Sequence, residues 1–559
     1  MKPVFRSGRK QRWLALLFCF CVSALAQQNV TVRVSGSQPL NDFKPVWSYF
    51  GYDEPNYTYA PNGQKLLNEL AALSYSPVHI RVHNLLTSGN GAAALKWGST
   101  NAYTEDSRGY PVYDWSIVDR ILNTYVQAGI EPFIEIGFMP EALSIHPEPY
   151  RHTFPVGDLF TGWTYPPKDY KKWSDLVYAW VRHCDERFGH AEVAKWNWEV
   201  WNEPDIGYWH GTPEEYDKLY DFTADAVKRA LPQARVGGPA STGPRGAHAA
   251  AFLRQFLEHC TSGRNYATGG EGAPLDFISY HAKGHPRWLD GHVRMGLAAQ
   301  MQDVAAGLQL VQSFPKWRNL PIVLSESDPE GCAACASPQN AYRNGPLYPV
   351  YVAVALKAIL ALASRNHSNI EGVLTWAFEF EDQPYFAGYR ALATNGIDKP
   401  VLNVFRMLGL MRGALVQVQS SGAVDLNSIV NSGVQDSDID ALATRSEKQV
   451  SVLVWNYRDD DVNNSPASVT LQIDGLPENA RRGLLTNYRI DQSHSNAYSV
   501  WKQLGSPRTP DKTQYQMLEE AGQLQLLDTP KWTNVRAGAV TLRIALPSES
   551  ISLLQLRWE

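Results

Sequence analysis

Between about Pro45 and Phe380 the chain repeats one unit eight times: a short apolar strand, then a longer segment with helical periodicity. The strand candidates are Val46–Tyr52, Val78–Asn84, Pro132–Phe138, Trp196–Glu203, Arg235–Pro239, Phe277–His281, Ile322–Glu326 and Val373–Phe380. Amphipathic segments such as Gly63–Leu73, Asp114–Ala128, Tyr170–Phe188, Pro213–Ala230, Ala249–His259 and Tyr348–Ser364 fall between them. Strands that read as continuous apolar runs are buried on both faces, as in a parallel sheet covered by helices. Eight such units predict a (β/α)8 barrel over residues 45–408, with functional groups at the carboxyl ends of its strands.

The flanks read differently. Residues 409–559 carry short runs, Val450–Trp455, Ala467–Ile473, Gly483–Ile490 and Ala539–Ala545, that largely alternate apolar and polar residues between Asp/Asn/Gly/Pro turns. That texture predicts an accessory antiparallel β-sandwich. Asn29–Val34, within residues 27–44, reads as an N-terminal strand joining it. The first 26 residues have a basic start (Lys2, Arg6, Arg9, Lys10, Arg12), an apolar run from Trp13 to Leu25 and the small-residue site Ala24-Leu25-Ala26. This is the pattern of a cleaved signal peptide, so a secreted or periplasmic protein with no membrane association after cleavage is expected. In an exported chain, Cys332 and Cys335 are disulfide candidates; Cys184 and Cys260 could be free or paired.

Two of the eight strands end in glutamate. Trp198-Glu199-Val200-Trp201-Asn202-Glu203-Pro204 brings Glu203 to the end of the fourth, walled by Trp198 and Trp201. Pro321-Ile322-Val323-Leu324-Ser325-Glu326 brings Glu326 to the end of the seventh. Strands four and seven face each other across a barrel mouth. Two carboxyls about 5–5.5 Å apart are what a retaining glycosidase needs, one as acid/base and one as nucleophile. Glu203 suits the acid/base, with Asn202 placed to bond the sugar 2-hydroxyl. Glu326 suits the nucleophile, because Arg81 at the end of the second strand can hold it ionised. Either glutamate alone reads equally well as half of a salt bridge; the pair in this setting does not.

Trp201-Asn202-Glu203-Pro204-Asp205 followed by Ser325-Glu326 resembles glycoside hydrolase family 39, of the clan of barrels with catalytic residues on strands four and seven. His79–Asn84, Glu135–Pro140, Gly237–Ala240 and Asp276–His281 resemble the family's second, third, fifth and sixth strands, so the likeness spans the barrel in order. It implies a retaining mechanism without a cofactor, and mainly β-xylosidases or α-L-iduronidases. One departure bears on the sugar. His281-Ala282-Lys283-Gly284 is similar to the iduronidase branch, where a Lys at this position helps to bind the sugar carboxylate; Asp382 and Arg390 match that branch's late Asp and Arg. Lys283 could instead pair with an acid such as Asp382 or face solvent. Family prevalence makes an exo-acting β-xylosidase the first expectation and an α-L-iduronidase-like or other uronic-acid or arabinose glycosidase the rival.

Other features are weighed in the same way. His83 and His281, at strand ends, are expected to bond substrate hydroxyls, and His285 to be solvated. Trp376 is a sugar platform or barrel packing, as are, less clearly, Tyr52 and Phe138. No His/Asp cluster has metal-ligand spacing, Cys332 and Cys335 lack the second pair a zinc site would need, and no phosphate loop or Ser-His-Asp order is present. A net charge of −5 gives no electrostatic case for nucleic acid. The partner is thus an oligosaccharide or glycoside, and the alternative of another class is a non-catalytic carbohydrate-binding protein.

Overall fold

The computed structural model describes residues 28–96, 98–149, 151–152, 159–160, 162–332, 335, 338–376, 378–379, 382–387, 392–462 and 466–559. The expected signal peptide lies outside the described residues. Eight parallel strands close into a barrel: β1 (Tyr49–Tyr52), β2 (His79–Val82), β3 (Glu131–Ile136), β4 (Asn197–Val200), β5 (Arg235–Ser241), β6 (Phe277–His281), β7 (Pro321–Glu326) and β8 (Asn369–Trp376). The helices that follow them are α1 (Pro61–Ala71), α2 (Ser116–Ala128), α3 (Tyr170–Phe188), α4 (Pro213–Ala230), α5 (Ala247–Ser262), α6 (Leu297–Gln312), α7 (Leu347–Arg365) and α8 (Pro400–Leu410). Local signals fix several ends. Thr212 and Glu215 form a capping box at the start of α4. Asp169 accepts from the Lys171 and Lys172 amides at the start of α3. Gly129, at φ 77°, stops α2.

The two-residue period of the strands sorts their side chains. Outward residues meet helices: Phe50 lies 4.9 Å from Phe405 of α8, and Trp198 lies 5.6 Å from Trp180 of α3. Inward residues Tyr49, Phe133, Phe277, Val323, Leu374 and Trp376 form their own apolar cluster inside the barrel. Two strands depart from expectation. β4 stops at Val200, and Glu203 sits in the turn beyond it, where Trp201 and Glu203 adopt left-handed φ values of 73° and 43°. β8 begins four residues earlier than read, at Asn369. Its polar Glu371 is a strand residue because Arg235 of β5 grips it bidentately at 2.8 and 2.9 Å.

The expected sandwich is one ten-stranded sheet that curls until its wings share a core. Gln28–Asp42 is an interior strand of it, antiparallel to Ala414–Ser420 and parallel to Ala467–Asp474. In Gln449–Tyr457, Val450, Val452 and Val454 face that core, whereas Leu453, Trp455 and Tyr457 join the barrel's. Helix α7 lies against this second face, with Tyr351 and Tyr457 rings 6.1 Å apart. It is long and apolar enough to cross a membrane, but most of its surface is buried between barrel and sheet, which explains an apolar residue pattern on every side.

Candidate active site

Arg81 organises the mouth of the barrel. It points inward from β2 and is wholly buried. Its Nε donates to Glu199 Oε2 at 2.5 Å and Nη1 to Glu326 Oε1 at 3.1 Å; Nη2 reaches Asn202 Oδ1 at 3.0 Å and Glu135 Oε2 at 2.9 Å. Burial alone opposes its charge, but Glu199, Glu135 and Glu326 outweigh burial and hold its pKa above the ordinary arginine value. The result is a fixed positive charge with every arm engaged. Asn202 is oriented by the same contact, since its carbonyl accepts from Arg81 and its amide nitrogen is left as a donor.

Glu326 reaches the mouth through a register slip. Tyr280 pairs with Leu324, yet the next residue, His281, pairs with Glu326. The extra residue turns Glu326 to the inward side at the end of β7, a common effect of a bulge. Its Oε1 lies 3.7 Å from His83 Nε2 as well as near Arg81. Its Oε2 lies 2.8 Å from Lys283 Nζ and 3.8 Å from His281 Nδ1. Burial pushes this carboxyl up, but Lys283, then His281, Arg81 and His83, push harder and hold it well below the usual carboxylate range. Lys283 is shared, with Asp328 Oδ1 at 2.5 Å. The acid that pairs with Lys283 is thus Asp328 rather than Asp382.

Glu203 is held by its backbone. Its amide donates to Ala240 O at 2.9 Å and its carbonyl accepts from Ile206 at 3.2 Å. Asp205 accepts from the amide (2.9 Å) and the hydroxyl of Thr242, tying the turn to the end of β5. A left-handed conformation at a bulky residue is retained only where surroundings enforce it. The carboxyl is 2.9 Å from His281 Nδ1, and its side chain is more open than that of Glu326, 17% against 7% exposed. Glu203, His281 and Glu326 each bring one atom within 4.8 Å of the other two. Such a trio could in principle hold a metal ion, but Lys283 and Arg81 already flank both oxygens of Glu326, and that cationic field opposes another cation.

His83 is clamped between Glu135, at Nδ1, and Asp53, 3.5 Å from Nε2. His281 bonds Glu203, and its Nε2 is buried with no hydrogen-bond partner among the described residues. Trp376 ends β8 inside the barrel; its ring is 4.4 Å from His83, and its Nε1 donates to Asp53 Oδ2 at 3.3 Å. Trp201 lines the Glu203 turn, 5.3 Å from Phe138, but Trp198 points to the helices and is no wall of the site. Asp382 is exposed in the turn after β8, and Arg390 lies outside the described residues. Cys332 and Cys335 are joined, with Cα atoms 5.6 Å apart, and Cys184 and Cys260 are free and buried. Sequence reasoning missed the roles of Glu135, Glu199, Asp53 and Asp328. For Glu135 and Glu199 a signal existed: each is a charge flanked by apolar residues at an inward position of its strand. For Asp53 and Asp328 there was none, because their partners come from other loops.

The sequence profile of the Glycosyl hydrolases family 39 matches residues 30–536. A β-xylosidase of Geobacillus stearothermophilus is 26% identical over 511 residues, covering 88% of each chain. An α-L-iduronidase of Mus musculus is 25% identical over 578 residues, covering 95% of this chain and 82% of the relative. A solved monomeric β-xylosidase from Caulobacter crescentus superposes with a TM-score of 0.73 at 22% identity, covering 94% of this chain and 99% of its own.

Proposed function

The chain belongs to family 39 of the glycosyl hydrolases, and from that premise we propose that it is an exported, retaining, exo-acting β-xylosidase. The observation that carries the chemistry is the pair of carboxyls at one barrel mouth, Glu203 and Glu326, with an oxygen of each within 4.8 Å of the other. That closeness agrees better with the carboxyl spacing of double displacement, about 5–5.5 Å, than with the wider spacing, about 6.5–9.5 Å, of inverting enzymes. Glu326 attacks the anomeric carbon while Glu203 gives its proton to the departing oxygen. Water then enters, Glu203 takes its proton, and the bond from the anomeric carbon to Glu326 breaks. Lys283, His281, Arg81 and His83 keep Glu326 ionised and therefore nucleophilic. Asn202 offers its amide N–H groups to the 2-hydroxyl, where the hydrogen bond strengthens as charge develops on the ring.

Xylose, a neutral pentose, agrees with a Lys283 whose charge is already shared by Glu326 and Asp328. A second reading, a uronic-acid glycosidase, is favoured by the position of the same ammonium: a cation at the nucleophile lies where a sugar carboxylate could reach it. Hydrolysis of aryl β-xyloside, α-L-iduronide, α-L-arabinoside and β-galactoside separates the readings, and aryl xyloside against polymeric xylan separates exo from endo action. Preference for the iduronide sinks the xylosidase reading. For the mechanism, Glu326→Ala should lose hydrolysis and, with azide, release a glycosyl azide of inverted configuration. Activity retained in both Glu203→Ala and Glu326→Ala would refute the assignment.

A further inference from the structure

Three rings stand in file on the loops that follow β3 and β4, at the carboxyl end of the barrel strands. His146 stacks on Tyr165 at 4.5 Å and 16°, and Tyr165 stacks on His210 at 4.7 Å and 21°. His146 and His210 are exposed, Tyr165 is half-buried, and Ile206, on the same loop as His210, is 42% exposed. A solvent-facing stack adds little to a core, yet its backbone is firmly held. The His210 amide donates to Thr164 O at 2.8 Å, its Nδ1 pairs with the Thr164 hydroxyl at 2.7 Å, and Trp163 Nε1 donates to Pro147 O at 3.0 Å. Closer to the carboxyls a second stack leads inward: Tyr208 lies on Phe138 at 5.7 Å and 6°, and Phe138 is 6.0 Å from His83.

The stack grows from the loop that carries Glu203. Two consecutive turns, closed by Ile206 N to Glu203 O at 3.2 Å and Trp209 N to Ile206 O at 3.0 Å, place Tyr208 and His210 directly after it. A proton donor must touch the glycosidic oxygen, so the departing group lies against the donor's own loop. We propose that Tyr208 and the His146–Tyr165–His210 stack form a leaving-group shelf that binds the sugar rings of an oligosaccharide beyond the scissile bond. Broad aromatic faces bury the apolar faces of pyranose rings at little entropic cost. Although its ring edge meets solvent, partial desolvation against its neighbours, and after it the nearby His146, lower the pKa of His210, which suits an uncharged partner. The shelf rests on the glycosidase reading above and adds to it the residues that hold the leaving saccharide.

The test uses transfer, which does not depend on which sugar is the donor. An activated aryl glycoside that the enzyme hydrolyses supplies the glycosyl–Glu326 ester, and xylotriose is added as acceptor. The acceptor hydroxyl forms the new bond to the anomeric carbon, its proton passes to Glu203, and the ester bond breaks. Tyr165→Ala should raise the acceptor concentration for half-maximal transfer about tenfold, the worth of one aromatic contact, and Tyr165→Phe by less than about twofold. His210→Ala provides a second variant should Tyr165→Ala fail to fold. An unchanged half-saturation in a folded alanine variant, or no transfer from the wild type at any acceptor concentration, overturns the shelf. Turnover of a different aryl glycoside in place of the xyloside overturns only the substrate reading.

Discussion

The barrel mouth and the seam between barrel and curled sheet both bury carboxyl groups, and they treat them in opposite ways. At the mouth Glu326 is held far below its ordinary range by Lys283, His281, Arg81 and His83 despite burial. At the seam Asp438 is pushed up to about 7, by burial and then by neighbouring Asp440, and Asp459 to about 6, chiefly by burial. Glu549, beside Asp461, is pushed up to about 8 for the same two reasons. Burial is common to both regions; the charge fixed next to the carboxyl decides the sign. A site that must present an anion surrounds it with cations that cannot leave, whereas a seam that needs only hydrogen bonds tolerates a carboxyl that holds its proton.

The strongest way to break this contrast is to remove the mouth's central cation. Arg81→Met leaves Glu135, Glu199 and Glu326 buried without their shared partner. It should cost about 3–5 kcal/mol in denaturant unfolding and abolish most activity. Next is Lys283→Met, which takes away the largest single influence lowering Glu326. With a depressed pKa, the stability from ionised Glu326 is present above its ordinary value near 4.5 and is lost as pH falls through the depressed one. The variant should therefore lose both stability and kcat/KM at a higher pH than the wild type; superimposable acidic limbs would refute the role of Lys283.

At the seam the sign reverses. A carboxyl whose pKa is raised on folding stabilises fully below its unfolded value and loses that contribution as pH climbs through about 7. Asp438→Asn should flatten the fall of melting temperature between pH 4 and 8, even though it also disturbs the bond from Trp455 Nε1. An unaltered pH slope would exclude a proton-holding Asp438. The smallest effect is expected of Lys357→Met, which removes from Asp440 a partner that is itself 31% exposed. A loss of about 1 kcal/mol or less, with no change in kcat/KM, would keep seam and mouth energetically separate.

Much of the fold was legible because periodicity survives burial. Alternating short apolar strands and amphipathic helices could be satisfied only by a covered parallel sheet, and Glu203 and Glu326 stood out as charges at the ends of two of its strands. The less legible parts depended on partners distant in sequence. The start of β8 was obscured by Glu371, whose partner Arg235 lies 136 residues away. Trp198 does not wall the site as its neighbourhood with Glu203 suggests, because a β-strand turns alternate residues to opposite faces and its phase sends it to the helix layer.

The amino-acid order by itself determined the eight-fold repeat, the two strand-end glutamates and the family likeness, since all of these are carried by local pattern and residue identity. Only the tertiary structure decided which charges meet. The one-residue slip at the end of β7 aimed Glu326 inward opposite His281, and the closed barrel brought Arg81, Glu135 and Glu199 to a common point. Folding also divided Lys283 between Glu326 and Asp328, and stacked rings from two loops beside Glu203. Electrostatic and stacking energies depend on distances of a few ångströms, and those distances exist only once residues hundreds of positions apart are packed together.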